Sequence, residues 1–279
     1  MAKKIIQSTI ESTMIGPLYA RAKYGSLYPE ILKDPIAETL LEQVYDMYSD
    51  QKEEFAMMEE FMDEFASLNF LYRAKKFDDE IREYKSIHPS ATIINLGCGL
   101  DTPHLRIEDK NLKWIQIDLP EAIAFREKLI ISSPNSKNIA KSIFDYSWFD
   151  DVELDKENGV LILAAGLLNY FKEPQLKELC DNLADHFLGG TLLFDVPSEY
   201  LKKIVNRKYK KLGFQGADHE FGLGNPKTVL KWSMKIKSLS CTIFFKGLAL
   251  NPKWSKRTRF LMKLFRTFKF YKLIKLEFK

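Results

Sequence analysis

The chain has 279 residues, 46% of them hydrophobic and 29% charged, with a formal net charge of +4. That is enough apolar material for one well-cored α/β domain of generous size, and it does not favour two equal domains. No apolar run approaches the roughly 18 uncharged residues that span a bilayer. Met1-Ala2-Lys3-Lys4 leads into too short and polar a stretch for a signal peptide. Cys98, Cys180 and Cys241 are too few and too scattered for a disulfide framework or a metal cluster. The expectation is a soluble, cytoplasmic protein with reduced thiols and no metal.

Along the chain, Asp34-Pro35 reads as an N-cap followed by a proline at the first helical position, opening a helix that runs to about Met47. Phe55, Met58, Met62 and Phe65 repeat at three- and four-residue spacing, the period of a helix with one buried stripe. A third helix is expected over 70–87, stopping before Pro89. Together these make a helical cap over residues 1–88, placed to lie across the C-terminal edge of the first strand. Strands are then expected at 91–96, 113–117, 139–144, 160–164, 191–196, 239–245 and 273–278. Helices are expected at 120–131, 174–188 and 198–212, with a late basic one at 255–268. Phe260, Leu261, Leu264, Phe265 and Phe268 of that last helix share one face, which should be buried while the cations face water. Strand alternating with helix implies crossover connections, hence a doubly wound, mostly parallel seven-stranded Rossmann-like sheet, with residues 1–279 forming a single domain. The order of the last two strands is open.

The first strand ends in Asn95-Leu96-Gly97-Cys98-Gly99-Leu100-Asp101-Thr102, and the second ends in Asp118, nineteen residues beyond Gly99. A glycine-rich turn between strand and helix lets the backbone approach a ligand that a Cβ would block. An acid closing the next strand can accept both hydroxyls of a ribose. Dinucleotide sites favour a third glycine three residues on, where this chain has Thr102; the alternative ligand is S-adenosylmethionine, which has a ribose and no phosphate. Asp118 and Asp145, both at strand ends, are also readable as loop caps.

Four segments in order carry a family resemblance. Ile94 to Thr102, Trp114-Ile115-Gln116-Ile117-Asp118-Leu119-Pro120-Glu121, Ile143-Phe144-Asp145-Tyr146-Ser147-Trp148-Phe149 and Ala165-Gly166-Leu167-Leu168-Asn169-Tyr170-Phe171 resemble the motifs of the leucine carboxyl methyltransferases. The branch of polyketide-synthesis O-methyltransferases of tetracenomycin type looks closer. Arg21-Ala22-Lys23-Tyr24, Lys33-Asp34-Pro35 and Glu220-Phe221-Gly222-Leu223 are similar as well, so that the resemblance covers roughly residues 15 to 279.

The resemblance implies S-adenosylmethionine as cofactor, S-adenosylhomocysteine as product, and methyl transfer to an oxygen, commonly of a carboxylate. It implies that Gly97, Cys98 and Gly99 sit under the methionyl part, that Asp118 beside Leu119 holds the ribose, and that Asp145 with the Tyr146 backbone receives the adenine amine. Arg73 and Lys23 match basic positions at the cofactor's carboxylate. Ala165 stands where these enzymes commonly carry a glutamate, and Pro103 where they usually have arginine, with Arg106 kept. The lost acid argues against that family's protein substrate and for a small molecule. Tyr170 is the candidate for orienting the acceptor, and His219, in the loop 216–224, for one wall of its pocket. His104 is expected to face out of the first helix after the glycine turn. The three thiols are expected to be packing residues.

Charge is unevenly spread. Residues 196–279 hold 21 lysines and arginines against Glu199, Asp218, Glu220 and Glu277, a net +17, so residues 1–195 carry −13. The two parts can pack on each other, or the basic one can meet an anionic partner. Two other functions stay open on these grounds: a noncatalytic cofactor-binding or interaction protein, made conceivable by Ala165, and an RNA-binding methyltransferase using the basic C-terminal part. Against the latter, Asn169-Tyr170-Phe171 lacks the proline-aromatic motif expected after the fourth strand of such enzymes.

Overall fold

A computed structural model describes residues 10–131, 133–153, 158–212 and 218–279. Seven strands, β1 (Thr92–Leu96), β2 (Lys113–Asp118), β3 (Ser136–Ala140), β4 (Val160–Ala164), β5 (Thr191–Pro197), β6 (Ile236–Ile243) and β7 (Tyr271–Phe278), form one sheet in the order β3-β2-β1-β4-β5-β7-β6. β1 to β5 pair in parallel, and β7 is antiparallel to both β5 and β6. The order left open by the sequence is thus settled: the last strand inserts between the fifth and sixth. β4 reads as an unbroken apolar run because helices cover both faces of the sheet there, and every residue of β1 and β4 is buried, Thr92 and Asn95 included.

On one face Ile94, Ile162, Leu192, Phe194 and Ile274 pack with Leu176, Leu179 and Leu183 of α8 (Glu173–His186). On the other, Ile93, Leu161, Leu163 and Leu193 meet Leu68, Leu71, Phe77 and Ile81 of α5 (Glu64–Ile87). The cap is a third layer, in which α1 (Ile10–Tyr19), α3 (Pro35–Met47) and α4 (Lys52–Phe61) enclose Leu100, Ala122 and Phe125 beside the glycine turn. Between α1 and α3 lie a π-helical turn, Ala20–Tyr24, and a short α2, Gly25–Leu27.

Asp34 caps α3 as expected, its carboxylate accepting from Ala37 N at 3.0 Å. Four expectations are corrected. Phe65 does not continue the helix of Phe55 and Met58: Asp63 accepts from Ala66 N at 2.9 Å and starts α5 six residues earlier than predicted, so that one apolar stripe is shared by two helices. β3 lies at Ser136–Ala140 rather than 139–144, because the chain turns at Ser142, whose carbonyl accepts from Asp145 N, and Ile143 leaves the ladder to bind Trp148 Nε1. β6 likewise ends at Ile243, and Phe244 and Phe245 turn into the core. The last helix, α10 (Lys256–Thr267), buries Thr258, Met262 and Phe265, while Phe260 and Phe268 are 58% and 60% exposed.

The unequal charge is partly internal. Lys275 reaches Glu80 at 2.8 Å, Arg257 reaches Asp63 at 2.9 Å, and Ser255 donates to Glu64, tying the basic C-terminal part to acids of the cap and α5. No described helix is long and apolar enough to cross a membrane.

Candidate active site

The candidate site lies at the ends of the neighbouring strands β1 and β4, the point at which a doubly wound sheet reverses strand order and ligands bind. Gly97 and Gly99 adopt φ of +61° and +45°, the left-handed region in which a side chain is strained. Three amides of this turn are already used: Cys98 N donates to Ile117 O at 3.2 Å, Gly99 N to Asp118 Oδ2 at 2.8 Å and Asp101 N to Cys98 O at 2.9 Å. This turn therefore does not present a row of free N–H groups to a pyrophosphate. Its carbonyls are held by arginines. Arg126 donates to Gly99 O at 2.8 Å and Asp101 O at 2.7 Å, and Arg21 to Leu100 O at 2.7 Å.

Beneath the turn lies a buried ionic cluster. Asp34 accepts from Arg21 Nε and Arg106 Nη1, each at 3.0 Å, Asp78 takes Arg106 in a two-point clasp at 2.8 Å, and Asp101 accepts from Arg106 at 2.7 Å. Asp101, half-buried, is held well below the usual carboxylate range by Arg106 and Arg21 against the opposing effect of desolvation. These groups fix the turn's shape from below. Sequence reasoning had noted Arg21, Arg106 and Asp34 without assigning them this task; Asp78, on the inner face of a helix, gave no local signal.

Asp118, at the end of β2, accepts Gly99 N on one oxygen and Leu119 N on the other, both at 2.8 Å. Each oxygen keeps a second lone pair, so two ribose hydroxyls can still be received. Burial raises its pKa against those two amides. Leu119 is 39% exposed beside it. Asp145 is exposed and caps the turn Tyr146–Asp151 through Ser147, whose hydroxyl donates at 2.7 Å and holds the carboxyl below its usual range. Tyr146 stacks obliquely on Phe149 at 5.5 Å.

A second group gathers at the ends of β4 and β5. Ala165 carries no charge, and Gly166, with φ +68°, lies so close to Arg73 that a Cβ would collide with its guanidinium. Arg73 lies over the Phe70 ring at 4.8 Å, and its Nη1 stands 3.8 Å from Asp195 Oδ2, beyond hydrogen-bond length. Asp195 is fully buried, accepting Gly166 N at 2.5 Å and Tyr271 Oη at 2.6 Å. Sequence reasoning missed Asp195, although an acid inside the apolar strand Thr191–Pro197 is the kind of exception that signals a constrained site. Tyr170 meets the His219 ring edge-on at 5.5 Å, and Tyr209 closes the other side at 5.8 Å. Burial, then Arg73 and Lys202, push His219 down to about 4, and its Nδ1 has no partner among the described residues. Burial raises the Tyr170 hydroxyl, which stays protonated at neutral pH. Residues 216–217 of the His219 loop, with 213–215 before them, lie outside the described residues.

Leu167 joins the two groups, lying directly over Gly97. Lys23 is exposed on the π-helical turn, while Arg21, two residues earlier, points inward to the glycine turn. His104 does not face out. It is buried against Trp114 and Gln116 of β2, since the short helix α6 (Pro103–Ile107) packs against α5 and turns this side chain inward, and burial holds it down at about 3. Cys98 is buried and pushed up to about 12, an inert packing thiol. Among the described residues no cluster of His, Cys, Asp and Glu suits a metal ion.

A seven-stranded sheet of this order, with a glycine turn after β1 and an acid closing β2, defines a methyltransferase of the S-adenosylmethionine-dependent class. Residues 15–184 match the family described as leucine carboxyl methyltransferase, and the chain belongs to that family. It is 27% identical over 232 residues to the tetracenomycin polyketide synthesis O-methyltransferase TcmP of Streptomyces glaucescens, covering 82% of this chain and 81% of that protein. It is 24% identical over 238 residues to the S-adenosyl-L-methionine-dependent methyltransferase dpfgK of Gibberella zeae, covering 80% and 78%. A crystallised candidate methyltransferase from Thermobifida fusca shares the fold, with a TM-score of 0.58 at 11% identity over 95% of this chain and 97% of that one.

Proposed function

We propose that this protein is an O-methyltransferase that moves the methyl group of S-adenosylmethionine to a carboxylate oxygen of a small molecule. The cofactor brings a methyl on a sulfonium, ready for attack by an oxygen. In this reading Gly97 to Gly99 underlie the methionyl part, Asp118 takes the ribose on its free lone pairs, and Asp145 with Tyr146 faces the adenine. Arg73, whose guanidinium stands 3.8 Å from Asp195, takes the cofactor's carboxylate through two parallel bonds, with Lys23 folding in at the same end.

The observation that favours a carboxylate acceptor is the weakness of the available base. A phenol or alcohol must lose a proton as it attacks, and a useful base titrates near neutrality. His219, at about 4, is a poor one. A carboxylate with an ordinary pKa near ~4 needs none. What is then required is alignment of oxygen, methyl and sulfur, and removal of water from the oxygen. Tyr170, protonated, donates to the acceptor, while the His219 and Tyr209 rings wall the pocket. The name of the polyketide relative, an O-methyltransferase, supports oxygen as the atom that is methylated.

The test has two parts. S-adenosylhomocysteine should bind the purified protein in a calorimetric titration, and label from S-adenosylmethionine should appear as base-labile methyl ester in a pool of small organic acids. No binding ends the cofactor reading; label fixed in base-stable ethers replaces carboxylate by hydroxyl acceptors.

A further inference from the structure

Outside this site the chain holds a second concavity of about 560 Å³, walled by Ser198, Asn225, Lys246, Phe268, Lys269 and Lys272 among others. It lies on the opposite face of the sheet from the Asp195 group: Tyr271 turns to Asp195, and Lys272, the next residue of β7, alternates away. None of its ten lining residues is acidic. Three lysines thus share a recess without a carboxylate in its walls.

The other polar side chains there are also poised as donors. Ser198 Oγ accepts from Leu201 N, which leaves its hydrogen to give, and Asn225 Oδ1 accepts from Lys227 N, which leaves its amide NH2. Lys272 is only 3% exposed, and its ammonium gives one hydrogen bond, to Leu223 O at 2.7 Å. Burial, with the adjacent Lys269, holds it below the ordinary lysine range. Lys269 (φ +54°) is the left-handed residue that closes α10, with Phe270 N donating to Phe265 O at 3.0 Å, and this helix end brings it to the cavity wall. Phe268, 60% exposed and stacked at 5.5 Å on Phe270, offers a flat apolar wall.

We propose that this cavity binds a small phosphorylated ligand, its phosphate held by Lys246, Lys269 and Lys272 and a planar group attached to it laid on Phe268. Lysines act as point charges that suit a phosphate dianion, whereas a planar carboxylate is better matched by the fork of an arginine, which this cavity lacks. Ser198 and Asn225 complete the donor set. The bound anion offsets the repulsion between Lys272 and Lys269.

The experiment titrates the full chain with inorganic phosphate, phenyl phosphate and benzoate, with and without S-adenosylhomocysteine. Phenyl phosphate should bind saturably in both conditions, about tenfold tighter than benzoate, and more weakly as salt rises. Lys246→Gln with Lys269→Gly should weaken it by about tenfold or more without lowering the Tm of the free protein, because glycine accepts the left-handed conformation. Phe268→Ala should weaken phenyl phosphate and leave inorganic phosphate unchanged. Absence of saturable binding at millimolar concentration, equal affinity for benzoate, or an unaffected lysine variant overturns the proposal. Retention of an RNA oligonucleotide through these lysines, with no binding of phenyl phosphate, overturns it in favour of an open basic surface.

Discussion

At the scale of single residues, Asp118 has two tasks that a substitution can separate. Asp118→Asn keeps an acceptor for Gly99 N, yet it halves what is left for ribose hydroxyls. S-adenosylhomocysteine should then bind roughly ten- to a hundredfold more weakly, the worth of about 1.5–3 kcal/mol for bonds to a charged group, with Tm little changed. Asp195 is different, because its carboxylate is enclosed. Asp195→Asn leaves Arg73 without its neighbouring charge and should cost roughly 2–4 kcal/mol in urea unfolding, more than Tyr271→Phe, which removes one donor. Loss of equal size from both would sink the view that charge is what matters at Asp195. For the acceptor side, His219→Asn and Tyr170→Phe should raise KM for the acceptor and leave S-adenosylhomocysteine affinity unchanged. Part of this was legible: the glycine turn and Asp118 announce themselves by motif, and Arg73 stands out through the family resemblance alone. Asp195, Asp78 and Arg126 do not, because their partners lie on other elements far away in sequence.

Among the elements, helix starts were read best, since a cap is a local event. Asp34-Pro35 fixes α3 by hydrogen bonding within four residues. Where an apolar stripe ran through a cap, periodicity misled: Asp63 divides α4 from α5 although Phe55, Met58, Met62 and Phe65 stay in step. Strand ends were misread where apolar residues left the ladder for the core, as Ile143, Phe244 and Phe245 do. Asp63→Ala should cost about 1 kcal/mol, the usual loss of an N-cap. Asp34→Ala should cost several times that, about 3–5 kcal/mol, because it also uncovers Arg21 and Arg106 in a buried cluster. Cofactor binding should fall with Asp34→Ala and hold with Asp63→Ala, since only Asp34 supports the glycine turn. Urea denaturation and calorimetry on the same two proteins check both statements.

For the whole molecule, one buried and one half-buried histidine set a pH dependence. His104 and His219 are held at about 3 and about 4, against roughly 6.5 when exposed. The unfolded chain therefore binds more protons than the folded one as pH falls below about 6.5, and each histidine contributes stability that is complete above that value. It should be lost at up to about 1.4 kcal/mol per pH unit per histidine, down to about pH 4, beyond which only His104 continues. His104→Gln should flatten the Tm profile between pH 6 and about 4. An unchanged slope would mean that His104 is free to protonate in the folded protein.

The position of β7 has a further effect, on the order in which the molecule can be assembled. Of the seven strands it is the last in sequence, yet it fills the gap between β5 and β6. Until residues 271–278 have been synthesised, β5 presents an open edge and β6 has no neighbour to hold it. A nascent chain thus passes through a stage in which an apolar parallel sheet is exposed along one side, the kind of edge that other chains can pair with. Chains stopped before Tyr271 should accumulate as aggregates, because β5 is then paired with β4 on one side alone.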